Sequence, residues 1–552
     1  MSERAPLRYG VIVDRPHAGA WQEAVVRALQ DGGDAELALV IVGHAPPRPA
    51  PRTLWRAYNN GIVARRARCV RPGAAWREIA PGVPVLDVAV ERRGKWSEHV
   101  QDDDLDRIRA ADLDFIVRFG LGIIRGGILD VARLGVWSFH HDDERVIRGG
   151  PPAFWEVYDG LATSGVLLQR LTDRLDGGVP LARATFRTVL HSYPRNRDRV
   201  FLGAASLPAQ VARAVRLGLV EVHALEPSSS TAPVRRNPTT REMLRFGARQ
   251  SLRAITSRLR GVTLADVWTV GLAPDALSPE GRVSTLPRVD WVPELKRRGY
   301  LADPFGARVN GRSAILVEEF DEASGRGVIS ALERGPLGWQ LHSGVIDPGV
   351  HASYPYVVED GGDLFCVPET ARAGRVELWR SVDFPMKWER AGTLIDAAIV
   401  DPTVFRHDGK WWMLGTLSGD EPDAKLHAWY APELTGPWQA HALNPLKIDV
   451  ASSRPAGPPF VRDGVLYRPA QDCSTAYGAA VVLNRVVYLD DRGLAEEIAG
   501  RVVPPRSRYG SGSHTLAPFE GGWVIDGRRY GTSRHRFVRE VAGRMRKLRG
   551  RR

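Results

Sequence analysis

The chain has 552 residues, is 43% hydrophobic and 25% charged, and carries a formal net charge of +12. These values are ordinary for a globular protein with two to four domains. No run approaches the ~20 apolar residues of a membrane-spanning helix, and the first residues lack the pattern of a signal peptide, so we expect a cytoplasmic protein. The three cysteines are far apart and match no metal-binding spacing, so we expect buried thiols and no metal site.

Continuous apolar runs alternate with helical patterns in the first part of the chain. Runs that are apolar throughout are typical of a parallel sheet covered on both faces, and together they predict an α/β Rossmann-like domain. Ligands of such sheets bind beyond the carboxyl ends of the strands, so we expect a site at that edge. The predicted strands cover residues 8–14, 35–43, 83–90, 113–120 and 135–141, and the first helix covers residues 21–29.

Polar side chains are concentrated in the loop that follows the fifth predicted strand. Residues 135–157 read GVWSFHHDDERVIRGGPPAFWEV, in which two histidines precede three acids and an Arg-Gly-Gly-Pro-Pro turn. His140 is a candidate for acid–base chemistry, and Asp142 and Asp143 are candidates for holding a substrate ammonium group. A polar turn without chemistry is the other interpretation, and both remain open.

The motifs that follow this strand come in a characteristic order. The turn Arg148-Gly149-Gly150-Pro151 precedes TSGVLLQRLTDRLDGGVPLAR, which is residues 163–183. This order resembles the formyltransferase family, which includes methionyl-tRNA, glycinamide ribonucleotide and sugar N-formyltransferases. The resemblance covers roughly residues 8–190 and implies the fold of that family. It leaves two roles open for Arg148, Gly149 and Gly150: contact with a ligand, or a tight turn that packing requires.

The resemblance also implies a mechanism that needs few groups. An amine attacks the formyl carbon of 10-formyltetrahydrofolate, the cofactor and formyl donor. By the resemblance, His140 is the imidazole that takes the amine proton or polarises the carbonyl, and Asp176 is the carboxylate that orients it or relays the proton. The family's Asn, which donates to the developing oxyanion, falls on Ser138, whose hydroxyl can also donate.

The composition changes after the first predicted domain. Residues 226–243 are rich in Ser, Thr, Pro and Arg, as linkers are, and LRFGARQSLRAITSRLR then predicts a basic helix. The end of the sequence is strongly basic, and a solvated helical tail and a peripheral membrane contact both remain open for it. The predicted divisions are an α/β domain at 1–225, a linker with a basic helix at 226–262, a propeller at 263–532 and a basic tail at 533–552.

Hairpin patterns replace helical patterns in the second half of the chain. Five segments each contain a short apolar strand, a turn with glycine and a second apolar strand, which is a strong hairpin signal. Five hairpins at nearly regular spacing predict an all-β five-bladed propeller, whereas a β-sandwich does not need equal spacing. The marker glycines Gly311, Gly361, Gly409, Gly464 and Gly521 are separated by 50, 48, 55 and 57 residues.

Several of these segments begin with a residue that precedes proline. The innermost strands of a propeller begin near its central channel, so carboxylates at these positions can converge, and paired carboxylates are used in glycosidic-bond chemistry. Asp303, Glu369 and Asp401 therefore form a candidate site, with Arg454 and His514 at equivalent positions of later blades. A structural role, in which the two Asp residues only cap their turns, also remains open.

The second half of the chain carries resemblances of its own. The phrases SYPYVVEDGGDLFCVPET and VDPTVFRHDGKWWMLGT resemble the N-terminal domain of plant glucosamine inositolphosphorylceramide transferases, over about residues 265–530. More distantly, the segment resembles the five-bladed arabinanase and β-xylosidase group. In those hydrolases two Asp and one Glu cluster at the centre, which would match Asp303, Asp401 and Glu369, although the Glu comes at a different place in blade order.

Three functions follow from these patterns. The leading hypothesis is transfer of a formyl group from 10-formyltetrahydrofolate to the amine of an amino sugar, in a nucleotide sugar or surface glycan, with the propeller binding the glycan. The second is a propeller-based glycosidase or glycosyltransferase with a degenerate first domain, and the third is a non-catalytic glycan-binding scaffold. No nucleic-acid partner is expected, because no aromatic–basic RNA motif appears. The sequence leaves the acceptor sugar and the oligomeric state open.

Overall fold

The computed structural model divides the chain into two compact units, Met1–Ala254 and Ile255–Arg552. The division falls inside the segment 226–262 that was predicted as a linker with a basic helix. The structure describes residues 5–46, 52–94, 97–174, 177–274, 283–286, 288–295 and 299–532. The predicted basic tail at 533–552 and Asp176 lie outside the described residues.

A nine-stranded sheet forms the centre of the first unit. Its five middle strands run parallel, as the continuous apolar runs predicted, and antiparallel strands flank them on both sides. The sheet is therefore mixed, which is a correction to the expectation of parallel strands alone. In sheet order the strands are Val179–Arg187, Thr163–Arg170, Val136–His140, Phe115–Arg118, Leu7–Val13, Ala35–His44, Val85–Arg93, Ser97–Val100 and Ile123–Ile124.

Both faces of the middle strands are buried. Tyr9 and Ile12 lie on opposite faces of the first strand, and each is at most 1% exposed. On one face the rings of Tyr9 and Phe115 stack with 5.3 Å between centroids, and Phe115 stacks on Trp137 at 4.0 Å. Burial on two faces explains why these strands contain few polar residues.

Helices cover the sheet and connect its strands. Helix Ala20–Asp31 buries Trp21, Val25, Val26 and Leu29, which the helical period places on one face. The other α-helices described in the first unit are Leu54–Tyr58, Ala64–Arg66, Trp76–Ile79, Asp102–Arg109, Trp155–Asp159, Tyr193–Gly203 and Leu207–Arg216, and helix Thr240–Thr263 continues across the division into the second unit. Short strands pair at His17–Gly19 with Pro72–Ala75, a π-helical turn covers Asn59–Val63, and 3₁₀ turns cover Gly126–Asp130 and Val222–Ala224.

Part of the predicted linker packs on the first unit. Strand Val234–Arg235 pairs in parallel with strand Arg148–Gly149, so this segment is ordered by backbone hydrogen bonds rather than free to reorient. No helix within the described residues is long and apolar enough to cross a membrane.

The second unit is the predicted five-bladed propeller. Blade one contains Tyr300–Val309, Arg312–Asp321, Arg326–Gly335 and Gly338–Ile346, and blade two contains Ser353–Asp360, Asp363–Glu369, Val376–Asp383 and Lys387–Ile395. Blade three contains Ile399–His407, Lys410–Leu417, Lys425–Ala431, Gln439–Ala440 and Lys447–Ile448, and blade four contains Phe460–Arg462, Val465–Asp472, Ala480–Asp490, Gly493–Val503 and Val283–Thr285. Blade five contains Leu516–Phe519, Gly522–Thr532, Leu264–Pro274 and Asp290–Trp291. A 3₁₀ turn covers Ala371–Ala373 in blade two.

Blade five combines both ends of the unit. Its first two strands come from the end of the described chain, and strand Leu264–Pro274 pairs with Gly522–Thr532 over their whole length. Main-chain hydrogen bonds therefore close the ring of blades.

The five marker glycines lie in the predicted hairpin turns. Each has a positive φ, between 60° and 80°, and in four turns the preceding residue also has a positive φ. Two consecutive residues of this kind define a type I′ turn, whose twist matches that of the flanking strands. Those preceding residues are Asn310, Asp408, Asp463 and Glu520.

Candidate functional site

Three inner strands of the propeller share a backbone irregularity close to their beginning. Asp303, Tyr354 and Asp401 have φ angles of 51°, 45° and 50°, each precedes a proline, and the pairing register shifts at each. Such a conformation costs a residue other than glycine on the order of 1–3 kcal/mol and is concentrated at functional sites. All three side chains contact neighbouring blades, so they form part of a central cluster.

Asp303 is buried and joins three blades. Its Oδ1 accepts a hydrogen bond from Thr515 Oγ1 at 2.8 Å, and its Oδ2 accepts one from the backbone N–H of Tyr354 at 3.2 Å. His514 Nε2 lies 3.5 Å from Oδ1. Burial raises the pKa of Asp303 to about 6, against the opposing charge of His514. At neutral pH this carboxyl is mostly ionised but close to the range in which it takes up a proton.

Two side chains hold Asp401, one from the segment before blade four and one from the second strand of that blade. Arg454 Nε donates to Asp401 Oδ2 at 2.6 Å, and Gln471 Nε2 donates to the same oxygen at 2.8 Å. Arg454 Nη1 also reaches Asp423 Oδ1 at 3.2 Å, and its guanidinium lies 4.8 Å from the ring centroid of Tyr477. Two donors on one oxygen form the arrangement expected around an ionised carboxylate.

Glu369 ends the second strand of blade two and remains partly exposed, whereas Asp401 is buried. Its Oε2 accepts a hydrogen bond from the backbone N–H of Asp401 at 3.2 Å. Burial and the negative charge of Asp401 raise the pKa of Glu369 to about 8, and Arg454 opposes that increase. Glu369 therefore carries a proton at neutral pH.

His514 lies between two carboxylates. Its Nδ1 contacts Asp526 Oδ2, its Nε2 faces Asp303, and its ring stacks on Trp268 with 4.0 Å between centroids. Burial lowers the pKa of His514, but the charges of Asp526 and Asp303 more than compensate and raise it overall.

These three side chains are close enough to be considered as metal ligands. One atom each of Asp303, His514 and Asp526 lies within 4.8 Å of the others. The same three side chains also contact one another, because Nδ1 of His514 contacts Asp526 and its Nε2 faces Asp303.

The centre of the propeller contains more acids than bases. Glu318 is buried, and burial followed by the charge of neighbouring carboxylates raises its pKa well above the usual range. Its Oε1 lies 3.7 Å from His351 Nε2. Because the cluster cannot keep every carboxyl ionised in a buried setting, it holds protons at neutral pH. The acids are Asp303, Glu318, Glu369, Asp401 and Asp526, and the bases that contact them most closely are Arg454 and His514.

The first unit has a cavity where its fold predicts a ligand site. The cavity has a volume of about 1040 Å³ and opens at the carboxyl ends of strands Leu7–Val13, Ala35–His44 and Val85–Arg93. Its polar lining includes Asp14, His44, Glu91, Glu98 and Gln101.

Ser138 lies beside a guanidinium that the sequence did not reveal as part of a site. Arg118 Nε and Nη2 donate to Ser138 Oγ at 3.1 and 3.0 Å, and Arg118 Nη1 also donates to the backbone carbonyls of Leu121 and Gly122, which line the cavity. Burial lowers the pKa of Arg118, with Glu98 opposing the decrease. The hydroxyl of Ser138, predicted to replace the family's Asn, therefore accepts hydrogen bonds from Arg118. Arg118 places a positive charge beside it.

The two histidines after the fifth parallel strand have different environments. His140 is partly exposed, and its Nε2 lies 3.4 Å from the backbone oxygen of Ile147. His141 is buried and stacks on Phe201 with 3.5 Å between ring centroids. Burial, aided by the positive charge of Arg197, lowers the pKa of His141 well below its usual value, so it is a neutral core residue. The catalytic role of His140 stays a prediction.

The neighbouring acids have partners within the first unit. Asp142 is 1% exposed, accepts a hydrogen bond from the backbone N–H of Ala153 at 3.0 Å, and has a pKa raised well above its usual value by burial and by Glu156. Asp143 pairs with Arg145 through both oxygens at 2.8 Å. Asp142 is thus enclosed in the core and Asp143 pairs with a cation, and the binding of a substrate ammonium group by either residue stays a prediction.

The Arg-Gly-Gly turn contacts the linker segment. Arg148 Nε donates to the backbone oxygen of Ala232 at 2.7 Å. Gly149 has a φ of 91°, and a Cβ atom there would lie 2.1 Å from the backbone oxygen of Arg235. Gly150 donates its N–H to the same oxygen at 3.2 Å. These contacts match the packing role that the sequence left open, and a ligand contact by these residues stays a prediction.

Comparison with known families finds relatives of two kinds. The family model described as glucosamine inositolphosphorylceramide transferase 1, N-terminal, matches residues 299–504, which confirms the resemblance of the propeller to that domain over this range. The chain is 32% identical over 251 residues to glucosamine inositolphosphorylceramide transferase 1 of Oryza sativa subsp. japonica, covering 42% of this chain and 33% of the relative. It is 30% identical over 95 residues to methionyl-tRNA formyltransferase of Pseudothermotoga lettingae, covering 17% and 31%. The chain therefore spans about a third of the length of the curated relatives it matches.

Solved structures similar to the chain include a glycoside hydrolase and a transformylase. A thermostable family-43 glycoside hydrolase is 16% identical with a TM-score of 0.30, covering 40% of this chain and 86% of the hydrolase. A glycinamide ribonucleotide transformylase 1 from Symbiobacterium toebii is 14% identical with a TM-score of 0.29, covering 41% and 99%.

The structure brings together all five residues predicted for the propeller site. Asp303, Glu369, Asp401, Arg454 and His514 belong to one network of contacts and charges. Sequence reasoning missed the residues that complete it, because they lie on second strands or in loops without a blade-start pattern. These are Glu318, Gln471, Tyr477 and Asp526. In the first unit, sequence reasoning also missed Arg118 beside Ser138.

Proposed function

We propose that the protein is an enzyme that cleaves or transfers a glycosidic bond of a glycan at the centre of its propeller. The observation that carries this proposal is the convergence of the blade-start carboxyls Asp303 and Asp401 with Glu369 in one contact network at the centre of the propeller. Burial raises the pKa of Glu369 to about 8 and that of Asp303 to about 6. Near neutral pH one holds a proton and the other has lost it. Glycosidic-bond chemistry needs such a pair, because one carboxyl protonates the leaving oxygen while the other acts as base or nucleophile.

The partners of each carboxyl support its proposed role. Glu369 is partly exposed and protonated, so it acts as the general acid that donates to the leaving oxygen. Asp303 acts as the general base that takes a proton from the attacking water or sugar hydroxyl. Asp401 is a positioning residue, since its backbone N–H holds Glu369 and Arg454 fixes its side chain.

The excess of acid also supports a class of substrate. Carboxyls that hold protons in this cluster, such as Glu318 and Glu369, can ionise beside a bound cation, and the ammonium of an amino sugar is such a cation. The name of the rice relative, glucosamine inositolphosphorylceramide transferase 1, supports an amino-sugar glycan as substrate and transfer as the reaction.

Release of p-nitrophenol from a panel of aryl glycosides that includes glucosaminides tests this function. We expect a bell-shaped dependence of kcat/KM on pH, with limbs set by Asp303 and Glu369. Asp303→Asn should lower kcat/KM by about 10²–10⁴-fold, and Glu369→Gln should do so on glycosides whose leaving group needs a proton. Undiminished kcat/KM in both variants contradicts the proposal.

A matched variant and a second substrate separate chemistry from folding. Asp408 has a φ of 46° and lies in an exposed turn, so Asp408→Asn makes the same chemical change in the same backbone conformation and should leave kcat/KM unchanged. Glu369→Gln should lose more activity on alkyl glycosides than on nitrophenyl glycosides, because nitrophenolate leaves without protonation. An equal loss on both would assign Glu369 a structural role.

A second candidate function is formyl transfer in the first unit. We propose that this unit binds 10-formyltetrahydrofolate and passes the formyl group to the amine of an amino sugar. The cavity at the carboxyl edge of the parallel strands favours this function, as does the similarity to a methionyl-tRNA formyltransferase. His140 and Asp176 would move the proton, and the Arg118–Ser138 pair would stabilise negative charge on the formyl oxygen.

Calorimetric titration with 5-formyltetrahydrofolate, a stable analogue of the donor, tests the second function. We expect saturable binding, and formyl transfer from 10-formyltetrahydrofolate to glucosamine that falls by about 10²–10⁴-fold in His140→Ala. His223→Ala, at an exposed position of the same unit, should leave both unchanged. Folded protein that gives no heat of binding contradicts this function without affecting the proposal for the propeller.

A further inference from the structure

Helix Thr240–Thr263 carries a row of exposed apolar side chains. Four of its large apolar residues, Leu244, Leu252, Ile255 and Leu259, are between 55% and 65% exposed. With 100° of rotation per residue, these residues and two smaller ones fall within an arc of about 80° along one side of the helix. We call this row the leucine stripe; its members are Leu244, Ala248, Leu252, Ile255, Leu259 and Val262.

The stripe is not the side of the helix that packs on the first unit. Met243 and Phe246 are buried and lie on the other side of the helix. Arg249 donates to the backbone oxygen of Tyr158 at 3.3 Å, and Arg253 donates to that of Val157. The helix is thus attached through one face and presents the leucine stripe on another, and this second apolar face needs its own explanation.

Arginines border the stripe. The helix contains six Arg and a single acid, Glu242. Arg245 lies at one edge of the stripe, Arg258 at the other, and Arg241 extends it at the first turn, by the same rotation. An apolar stripe between basic side chains is the pattern of a helix that lies in the plane of a membrane interface.

We propose that the leucine stripe binds the surface of a membrane that contains anionic lipids. The apolar side chains would enter the boundary between headgroups and acyl chains, and the arginines would contact lipid phosphates. A second copy of the chain fits less well, because two stripes packed together would place Arg245 and Arg258 against the arginines of the other copy. The contact would hold the protein at a lipid surface, a property separate from either proposed activity.

Vesicle flotation with the full chain tests the proposal. Vesicles of phosphatidylcholine with about 30% phosphatidylglycerol should carry the protein upward, and vesicles of phosphatidylcholine alone should carry much less. The triple variant Leu252→Gln, Ile255→Gln and Leu259→Gln should reduce partitioning at least about tenfold. Wild-type protein that floats with neither kind of vesicle overturns the proposal.

Matched variants exclude a general effect of surface changes. Leu337→Gln, Val461→Gln and Val487→Gln replace three exposed apolar residues of the propeller and should leave partitioning unchanged. Because the triple stripe variant keeps the basic residues 533–552, binding that persists in it would assign the contact to that tail and overturn the proposal. A wild-type dimer in sedimentation that the stripe variant dissociates would assign the stripe to self-association and also overturn it.

A second set of variants, with its own control, tests the arginines that border the leucine stripe. Arg245→Gln with Arg258→Gln should weaken binding to anionic vesicles by at least about tenfold and reduce its salt dependence. Arg308→Gln with Arg406→Gln, at exposed positions of the propeller, should change neither. Equal losses in both pairs would mean that net charge alone drives binding, which contradicts a site at the stripe.

A site-specific fluorophore reports the depth of the stripe. All three native cysteines are buried, so a cysteine introduced by Ala248→Cys can be labelled selectively with an environment-sensitive dye. Its emission should shift to the blue when anionic vesicles are added. Ser257→Cys lies on the other side of the same helix and should show no shift. A shift at residue 257 without one at residue 248 overturns the assignment of the stripe.

Discussion

Asp303 and Asp401 have the same backbone conformation at equivalent blade starts, yet their partners give them different chemistry. Arg454 and Gln471 both donate to one oxygen of Asp401, whereas Asp303 faces a histidine that it shares with Asp526. Each strained conformation is maintained because hydrogen bonds from a neighbouring blade hold the residue in place. At this scale, function depends on which charged group each repeat places beside its carboxyl.

The proton on Glu369 also makes stability depend on pH. Its pKa rises from 4.5 to about 8 on folding, so the folded state binds a proton that the unfolded state has released between these values. The free energy of unfolding contributed by this group is therefore fully present below pH 4.5 and is lost as the pH rises through about 8. Glu369→Gln, which cannot ionise, should become more stable than wild type at alkaline pH, and urea midpoints measured across this range check it.

The exposed Glu359 provides the control for this pH dependence. Glu359→Gln makes the same substitution at an exposed position of a strand and should leave the urea midpoint close to that of wild type. A difference between Glu369→Gln and wild type that stayed constant from acid to alkaline pH would contradict a proton held by Glu369 in the folded state.

At the scale of elements, the Arg-Gly-Gly turn shows how a motif can be needed for packing. Strand Arg148–Gly149 pairs with Val234–Arg235, and the approach of the two backbones leaves no room for a side chain at Gly149. The linker segment is thereby attached to the first unit ahead of helix Thr240–Thr263. The attachment fixes the start of the helix that carries the leucine stripe.

Substitution of Gly149 tests this packing role. Gly149→Ala should lower the free energy of unfolding by about 2 kcal/mol or more, because its φ is 91° and its Cβ would lie 2.1 Å from a backbone oxygen. Gly150→Ala is the matched control, since its Cβ would meet no atom closer than 3.8 Å. Chemical denaturation measures both, and equal midpoints would show that the turn is not tightly packed.

For the whole molecule, closure of the propeller joins residues far apart in the sequence. Strand Leu264–Pro274 completes blade five and also brings Trp268 against His514, at the centre of the candidate site. The closure of the ring and the arrangement of the site therefore depend on the same strand. Because closure brings the blades together, residues from different blades can form one network.

A substitution in the closing strand should affect the whole propeller. Val270 is fully buried, so Val270→Asp places an unpaired charge in the core and should cost about 3–5 kcal/mol. Asp266→Ala, at an exposed position of the same strand, should leave stability unchanged. Thermal unfolding followed by tryptophan fluorescence measures both. A melting temperature unaffected by Val270→Asp would mean that the ring is stable without this strand.

The sequence by itself determined the order of elements and much of the candidate site in the propeller. Continuous apolar runs indicated the five parallel strands, and regularly spaced glycine turns indicated five blades, because both patterns reflect local burial and backbone conformation. The repeat then predicted that Asp303 and Asp401 occupy equivalent positions. It could not predict the antiparallel strands that flank the sheet, since pairing direction depends on how distant segments meet.

Only the tertiary structure decided which polar residues share an environment. Glu318 and Asp526 lie on second strands of their blades, and their sequences look like ordinary strand segments, so nothing local marks them as part of the centre. Asp142 and His141 look exposed in the sequence because they are polar and follow a strand, yet the fold buries both. Burial and charge partners come from segments far apart in the chain, and these long-range contacts set each group's protonation.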